Sequence, residues 1–431
     1  MKKFTKIVAI VITLLLTIYF FTTASYANSD VSVYSENYIL IEASTGKIVC
    51  GNNYDTVLYP ASTTKIMTAI LTLENCDLKD KAVVSHNAIF SVPLGYSHAM
   101  LVEGEELTIE QLLNLLLIPS ANDAAIVLAE HIAGSVDSFS TMMNTKAIEL
   151  GCTNTNFVNP NGIHDDNHYS TAHDLAIMAK YAMQNETFRR IVTTKEYTLP
   201  ATNNYPEPDR YFENTNALVV PDDRDSYDNY YYPYATGVKT GYTDPAGECL
   251  VASAKKDDKE YIVAILDSGR TENGLSQRFL DSKKLFEYAF ENYSLTTLNE
   301  SRSLLKEIEI SNASILNNKL DILIQDKLDV LVKKNQDLTA IVPTIEYTAD
   351  LSAPIKKDSV IGKITYTIGN NTYTSNLIAG EDMHESNFIT SVLTIASIIV
   401  IVFLIYKLMR FNTKKKKSKK KKDNRTDYMY W

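Results

Sequence analysis

The sequence predicts an α+β chain in which a mixed domain of helices and strands is followed by a small all-β domain and a single apolar helix. Three observations carry this. Between Val33 and Asn292, hairpin-like strand pairs stand at both ends of a helix-rich middle. From about Leu295 the pattern changes to short strands separated by polar turns such as Gly369-Asn370-Asn371. Finally, Phe388 to Tyr406 carries no charge and is rich in Ile, Val and Leu, enough for a membrane span of about 20 residues.

The first residues, Met1-Lys2-Lys3-Phe4-Thr5-Lys6, are basic and precede an apolar run from Ile7 to Phe21, with small residues at Ser25 and Ala27. That order predicts a secretory signal over 1–27, cleaved after Ala27, rather than a lasting N-terminal anchor. At the other end Lys407, Arg410 and the lysine run 414–422 follow the apolar stretch. Basic residues mark the cytoplasmic side, which predicts a transmembrane helix over 388–409, a lysine-rich tail over 410–431 inside, and the rest of the chain outside. Such a run beside a span grips anionic lipid headgroups more readily than nucleic acid. Without the leader's 3 basic residues and the 11 basic and 2 acidic residues of 407–431, the 42 basic and 52 acidic residues of the chain fall to 28 and 50. The exported region is therefore near −22, a surface that repels polyanions and argues against DNA or RNA as its partner. Its roughly 360 residues suffice for more than one domain. Cys50, Cys76, Cys152 and Cys249 contain no C-x-x-C spacing, so zinc is not indicated; they read first as buried apolar residues.

Taken in order, Tyr38–Glu42 and Lys47–Cys50 read as strands joined by a turn at Ser44-Thr45-Gly46. Tyr59-Pro60-Ala61-Ser62-Thr63-Thr64-Lys65 then opens a helix whose Ile66, Met67, Ile70 and Leu73 form an apolar stripe. Ser62 and Lys65 are three apart and share a helix face, which sets a hydroxyl beside an amine. Serine is a poor nucleophile until a base activates it, and an unprotonated amine can do so. The plain alternative is a capping serine and a solvated lysine. Thr108-Ile109-Glu110-Gln111 has the form of a capping box for a helix that stops before Pro119, and another helix runs from near Asp123 to Gly134. Ser120-Ala121-Asn122 lies between them, either presenting side chains to a cleft or serving as an ordinary turn. His164, His168 and His173 lack a regular ligand spacing such as H-E-x-x-H, so no metal is expected. A helix follows His173 through Met183, and Thr193 to Tyr234 reads as irregular. Gly237-Val238-Lys239-Thr240-Gly241-Tyr242-Thr243 reads as a strand with a glycine where a backbone or ligand approaches closely. A twist or bulge there would bring Lys239 and Thr240 toward one pocket. A hairpin over Glu248–Lys255 and Glu260–Asp267 and a helix over Gly274–Asn292 close the first domain, expected to span 33–293; the β domain is expected over 295–383.

S-x-x-K, S-x-N and K-T-G in this order, on helix, loop and strand, resemble the penicillin-binding active-site-serine acyltransferases. The runs Pro60-Ala61-Ser62-Thr63-Thr64-Lys65-Ile66-Met67-Thr68, Asn159-Pro160-Asn161-Gly162-Ile163-His164 and Ala246-Gly247-Glu248-Cys249-Leu250-Val251 narrow this, as do Leu351-Ser352-Ala353-Pro354-Ile355 and Ile361-Gly362-Lys363. They resemble the low-molecular-mass penicillin-binding proteins, serine-type D-alanyl-D-alanine carboxypeptidases of peptidase family S11. The resemblance implies a penicillin-binding/β-lactamase-like catalytic domain, an antiparallel sheet flanked by helices, acting on peptidoglycan stem peptides at the bacterial cell membrane. It implies no cofactor. By resemblance Ser62 is the nucleophile, Lys65 its base and Ser120 a proton relay. Asn122 would hold the substrate amide, Lys239 and Thr240 its carboxylate, and Gly241 and Tyr242 would line the site, with Ser62 and Tyr242 N–H groups holding the oxyanion. β-Lactams would acylate Ser62. The rivals are a β-lactamase, an endopeptidase or transpeptidase using the same residues, and a silent β-lactam-sensing wall protein. Two features depart from the family: the apparent span with its lysine tail, and the long acidic, tyrosine-rich segment between Leu218 and Gly237.

Overall fold

A computed structural model of the chain describes residues 31–426 except 208–209, 222–229, 315–316, 349–350 and 387. The expected signal over 1–27 lies outside the described residues. Two compact units are present, one comprising residues up to Ser294 with Leu331–Gln336 and Gly369–Asn371, the other the remainder.

The first unit is built on a five-stranded antiparallel sheet in the order β2-β1-β9-β8-β7. Its strands are β1 (Asn37–Glu42), β2 (Ile48–Asn52), β7 (Ala235–Thr243), β8 (Gly247–Lys256) and β9 (Lys259–Ser268). Side chains alternate across a strand, and here both faces are buried. Ile39, Ile41, Val251, Ile262 and Ala264 join the main core, whereas Tyr261, on the other face of β9, meets Phe290 ring to ring at 5.2 Å. Phe290 belongs to α8 (Gln277–Asn292), so that helix covers the second face. This double coverage explains why Leu250-Val251-Ala252 and Ile262-Val263-Ala264-Ile265-Leu266 read as continuous apolar runs.

The helical part comprises α1 (Lys65–Asn75), α2 (His86–Phe90), α3 (Ile109–Leu117), α4 (Asn122–Ala133), α5 (Val136–Glu149), α6 (Ala172–Ala182) and α7 (Glu186–Val192). Leu112 to Leu117 are buried all round α3, the mark of a helix enclosed by others. Its start is the expected capping box: Thr108 Oγ1 accepts from Gln111 N at 3.2 Å and Gln111 Oε1 accepts from Thr108 N at 2.7 Å. Gly134 ends α4 in the left-handed conformation, φ 75°. Short pairs β3 (Lys81–Val83) with β4 (Glu106–Thr108) and β5 (Glu196–Leu199) with β6 (Arg210–Glu213) complete the unit.

Two local expectations change. Ser62 stands in a 3₁₀ turn, Ala61–Thr64, and the α-helix begins only at Lys65; the turn is tied back by Thr63 Oγ1 donating to Pro60 O at 2.6 Å. The stretch from Thr193, expected to be irregular, contains the β5–β6 hairpin. Its signal is not local: Arg210 is fixed by a buried ion pair with Glu105 and stacks on Tyr205, whose ring centroid is 4.2 Å away.

In the second unit β11 (Leu304–Ser314), β12 (Asn317–Ile324), β14 (Thr344–Tyr347), β15 (Val360–Ile368) and β16 (Asn371–Ala379) form one sheet, ordered β11-β12-β16-β15-β14. Strands β10 (Tyr293–Asn299) and β13 (Leu328–Lys333) stand outside it. Leu320, Ile322 and Ile324 point inward between exposed Lys319 and Asp321, a one-sided sheet read directly from alternation. Helix α9 (Phe388–Thr426) contains the apolar stretch Val392–Phe411.

Because the α3 cap satisfies two otherwise orphaned N–H groups, Thr108→Ala lowers stability by about 1 kcal/mol. Urea unfolding of the two proteins at neutral pH measures the difference.

Candidate active site

Proline fixes the entry to the 3₁₀ turn, and Ala61 takes φ 46°, a conformation unfavourable for a side-chain-bearing residue. The turn projects Ser62 into a cleft of about 460 Å³ while Lys65, one turn on, is wholly buried. Lys65 Nζ is 2.8 Å from Ser62 Oγ, 2.8 Å from Asn122 Oδ1 and 2.6 Å from Asn161 O. Asn122 Nδ2 donates to Ser97 O at 3.0 Å, which fixes the orientation of its amide. Both Asn122 Oδ1 and Asn161 O can therefore only accept. A neutral amine has two N–H bonds and one lone pair; the two carbonyls take the N–H bonds and the lone pair is left facing the Ser62 hydroxyl. Burial holds the Lys65 pKa well below the usual lysine range, Lys239 lowers it further, and Asp123 opposes both. This geometry can remove a proton from Ser62.

One cleft wall is the loop through Leu94, Gly95, Tyr96 and Ser97. It is pinned from below: Asn122 N donates to Ser97 O at 3.0 Å, and the Asp123 carboxylate accepts from Ala99 N at 3.0 Å and Leu101 N at 3.3 Å. Asn122 is the first residue of α4, so the middle motif straddles a loop and a helix start. Ser120, just before it, has φ 68° and lines the cleft; among the described residues its hydroxyl has no hydrogen-bond partner.

The opposite wall is β7, the edge of the sheet. Gly241 lies against the 3₁₀ turn so closely that a Cβ would meet Pro60 O and Ser62 N, each at 3.0 Å. This close approach brings the backbone of Gly241 against that of Ser62. The register of β7 against β8 shifts between Ala235 and Gly237. Beyond that irregularity Lys239 and Thr240, successive residues, converge on Thr215: Thr240 Oγ1 donates to Thr215 Oγ1 at 2.6 Å and Lys239 Nζ lies 3.5 Å from the same oxygen. Lys239 also donates to Thr240 O at 3.1 Å and is buried behind the wall that Thr240, Gly241 and Tyr242 form. Burial, then the Arg278 charge, push its pKa down to about 7.

Besides the 94–97 loop and Asp244, two lining residues that contact β7 escape the motif reading. Thr215 is an isolated threonine in an irregular stretch, tied by its N–H to Ile118 O at 3.1 Å. Arg278 sits in the first turn of α8 and donates through Nη1 to Gly241 O at 2.7 Å and Cys249 O at 3.0 Å. An arginine on a helix of mixed polarity carries no signal of a cleft until the helix is packed on the sheet. The histidines separate: His164 faces Asp166 at 3.5 Å, His173 faces Asp55 at 3.0 Å, and His168 is buried beneath the serine turn. The four cysteines are free thiols, three of them buried.

The family model for D-alanyl-D-alanine carboxypeptidase (peptidase S11) matches residues 23–270, and the model for the penicillin-binding protein 5 C-terminal domain matches 299–385. The chain is 32% identical over 368 residues to the D-alanyl-D-alanine carboxypeptidase DacF of Bacillus subtilis (strain 168), covering 84% of this chain and 89% of that relative. Among solved structures it resembles penicillin binding protein 5 from Haemophilus influenzae, with TM-score 0.67, 25% identity and coverage of 82% of this chain and 99% of the other. It also resembles the D-alanyl-D-alanine carboxypeptidase DacD from Francisella tularensis, with TM-score 0.65, 26% identity and coverage of 83% and 95%.

His168 supports the serine turn in one protonation state. Val158 N donates to its Nδ1 at 3.2 Å, so Nε2 carries the proton and donates to Thr64 Oγ1 at 2.7 Å. Burial pushes its pKa down from 6.5 to about 4. Between those values the unfolded chain binds a proton that the folded chain does not, so stability falls as the solution is acidified. Going from pH 7 to 5.5 removes about 1 kcal/mol through this group. His168→Asn, measured by urea unfolding at both pH values, shows a correspondingly smaller drop.

Proposed function

The chain belongs to the D-alanyl-D-alanine carboxypeptidase family, peptidase S11, and from that premise we propose that this serine-type hydrolase removes the terminal D-alanine of peptidoglycan stem peptides through an acyl-enzyme on Ser62. The observation that carries the assignment is the Lys65 amine, whose two N–H directions are taken by carbonyls and whose remaining direction is the Ser62 oxygen. Ser62 Oγ attacks the carbonyl carbon of the scissile D-Ala-D-Ala bond as Lys65 takes its proton. The resulting oxyanion accepts from the N–H groups of Ser62 and Tyr242, the electrostatic contribution that usually weighs most in acyl transfer. When the C–N bond breaks, the departing amine receives the proton by way of Ser120, whose unpartnered hydroxyl is free to relay it. Water, activated by the same lysine, then splits the ester and restores Ser62.

Asn122 binds the substrate amide, and Lys239 with Thr240 forms the pocket for the terminal carboxylate. Gly241 and Tyr242 provide the edge along which the peptide lies. Thr215 belongs to the same carboxylate pocket, because its hydroxyl is bonded to Thr240 Oγ1, whereas Arg278 meets the wall at the Gly241 carbonyl. A β-lactam takes the same path and remains as an ester on Ser62. The catalytic domain occupies 33–293 and the β domain 295–383.

The C-terminal helix supports a single-pass anchor. Val392–Phe411 is 20 residues, about 30 Å of helix, and none of it is buried within the chain. With the lysines beyond it on the cytoplasmic side, the catalytic domain acts outside the bacterial cell membrane.

A pentapeptide ending in D-Ala-D-Ala releases D-alanine with the wild-type protein, and Ser62→Ala abolishes the release. Mass mapping after penicillin treatment finds the label on Ser62. Rapid penicillin turnover without D-alanine release would overturn the reading in favour of a β-lactamase.

The pH dependence of the reaction follows from the two lysines. Activity falls at low pH as Lys65 protonates, and KM rises above about pH 7 as Lys239, whose pKa is about 7, loses the charge that attracts the substrate carboxylate. A pH profile of kcat and KM measures both limbs.

A further inference from the structure

One buried carboxylate beside the cleft has no part in the reaction as derived above. Glu248 stands on β8 directly opposite Tyr242 on β7 and is 3% exposed. An ionised group so placed is costly unless it is paired. Its Oε2 accepts a short hydrogen bond from Ser276 Oγ, and its Oε1 lies 2.5 Å from Arg270 Nη2. Arg278 Nε is 3.9 Å from Oε2, within ion-pair range though beyond a hydrogen bond, and among the described residues this buried Nε has no hydrogen-bond partner. Ser276 is itself anchored, its N–H donating to Tyr230 Oη at 2.7 Å.

The consequence lies in what Arg278 holds. Its Nη1 grips Gly241 O at 2.7 Å and Cys249 O at 3.0 Å. Gly241 C=O and Tyr242 N–H belong to one planar trans peptide unit and point in opposite directions. Fixing the carbonyl on Arg278 therefore fixes the direction of the Tyr242 N–H.

We propose that Glu248 is a positioning residue for the oxyanion: by holding Arg278 against the Gly241 carbonyl it sets the plane of the Gly241–Tyr242 peptide and so the aim of the Tyr242 N–H. The inference rests on the assignment of Ser62 as nucleophile and of the Ser62 and Tyr242 N–H groups as oxyanion donors. It joins the tyrosine-rich segment to the chemistry through Tyr230, Ser276, Glu248 and Arg278 in turn.

The test separates transition-state binding from ground-state binding. Glu248→Gln keeps the shape of the side chain and an oxygen for Ser276 but removes the charge that holds Arg278. Complete loss of an oxyanion donor costs about 10²- to 10³-fold in rate; a loosened donor costs a part of that, about tenfold. Glu248→Gln is expected to lower both the second-order rate of penicillin acylation and the affinity for a peptidyl boronic acid, which forms a tetrahedral adduct on Ser62, by about this factor. In a Ser62→Ala background the dissociation constant for the D-Ala-D-Ala pentapeptide is expected to stay within about twofold with or without the Glu248 change. Unchanged acylation and boronate affinity would overturn the proposal, as would an equal loss in pentapeptide binding. Arg270→Ala, at a largely exposed position, provides a second reading should Glu248→Gln fail to fold: it removes one support of Glu248 and is expected to shift the same two quantities in the same direction by about threefold, and no shift would overturn the proposal. A wild-type protein in which penicillin does not label Ser62 would instead defeat the assignment of the nucleophile, whatever the Glu248 variants do.

Discussion

An amine buried without an ion-pair partner is the constraint on which the rest of this structure depends. Lys65 has lost its water shell and, among the described residues, forms no salt bridge; its contacts are a hydroxyl and two carbonyl oxygens. A charged ammonium there would be expensive, and the neutral amine is the form such surroundings favour. The hydrogen-bonded groups around it preserve that condition. The Asn122 amide is oriented by Ser97, the Asn161 carbonyl is presented by a loop tied to α1 through Thr68, and a neutral His168 closes the underside through Thr64. Lys239, the neighbouring cation, is buried too, so burial outweighs charge in setting the state of both lysines.

The scaffold answers this constraint with rigid elements from three parts of the chain. The serine turn rides on an enclosed helix, the Ser120–Asn122 segment is fixed between two more, and the third element is the edge of a sheet covered on both faces. Loops alone would not hold such groups within the tolerance that catalysis requires. Two residues bear conformational strain at the points where these elements meet, Ala61 and Ser120, both at positive φ. Strain of this kind persists where surrounding packing over-determines the backbone. Here that packing is the contact of Gly241 with the serine turn and the burial of Ala121 and Asn122 at the head of α4.

The edge strand has a further demand placed on it. An edge strand offers unpaired N–H and C=O groups, which suits it to bind an extended peptide. The same freedom would let its peptide planes rock. The cluster of Glu248, Arg270, Ser276 and Arg278 meets the strand at Gly241, where the strand also lies against the serine turn. Stiffness at one peptide and openness along the rest are compatible because the cluster grips a single carbonyl of the strand, that of Gly241.

The sequence by itself determined whatever is written in short-range pattern. Alternation and continuous apolar runs revealed the β domain and the sheet strands, the S/T-x-x-Q pattern revealed the α3 cap, and the resemblance of three short motifs to a known family singled out Ser62, Lys65, Ser120, Asn122, Lys239 and Thr240. The apolar stretch after Phe388 was equally plain from composition. Tertiary structure alone decided the features that depend on partners distant in the chain. The β5–β6 hairpin is held by Arg210 on Glu105, a pairing with no local trace. Thr215 and Arg278 reach the cleft only because an irregular segment and a helix are packed around β7. That Ser62 lies in a 3₁₀ turn instead of an α-helix shows only in the folded chain, where Gly241 packs against that turn. The motif reading put Ser62 beside Lys65, but the free direction of the lysine lone pair depends on two carbonyl oxygens from residues 122 and 161, and only folding brings acceptors so far apart in sequence onto one nitrogen.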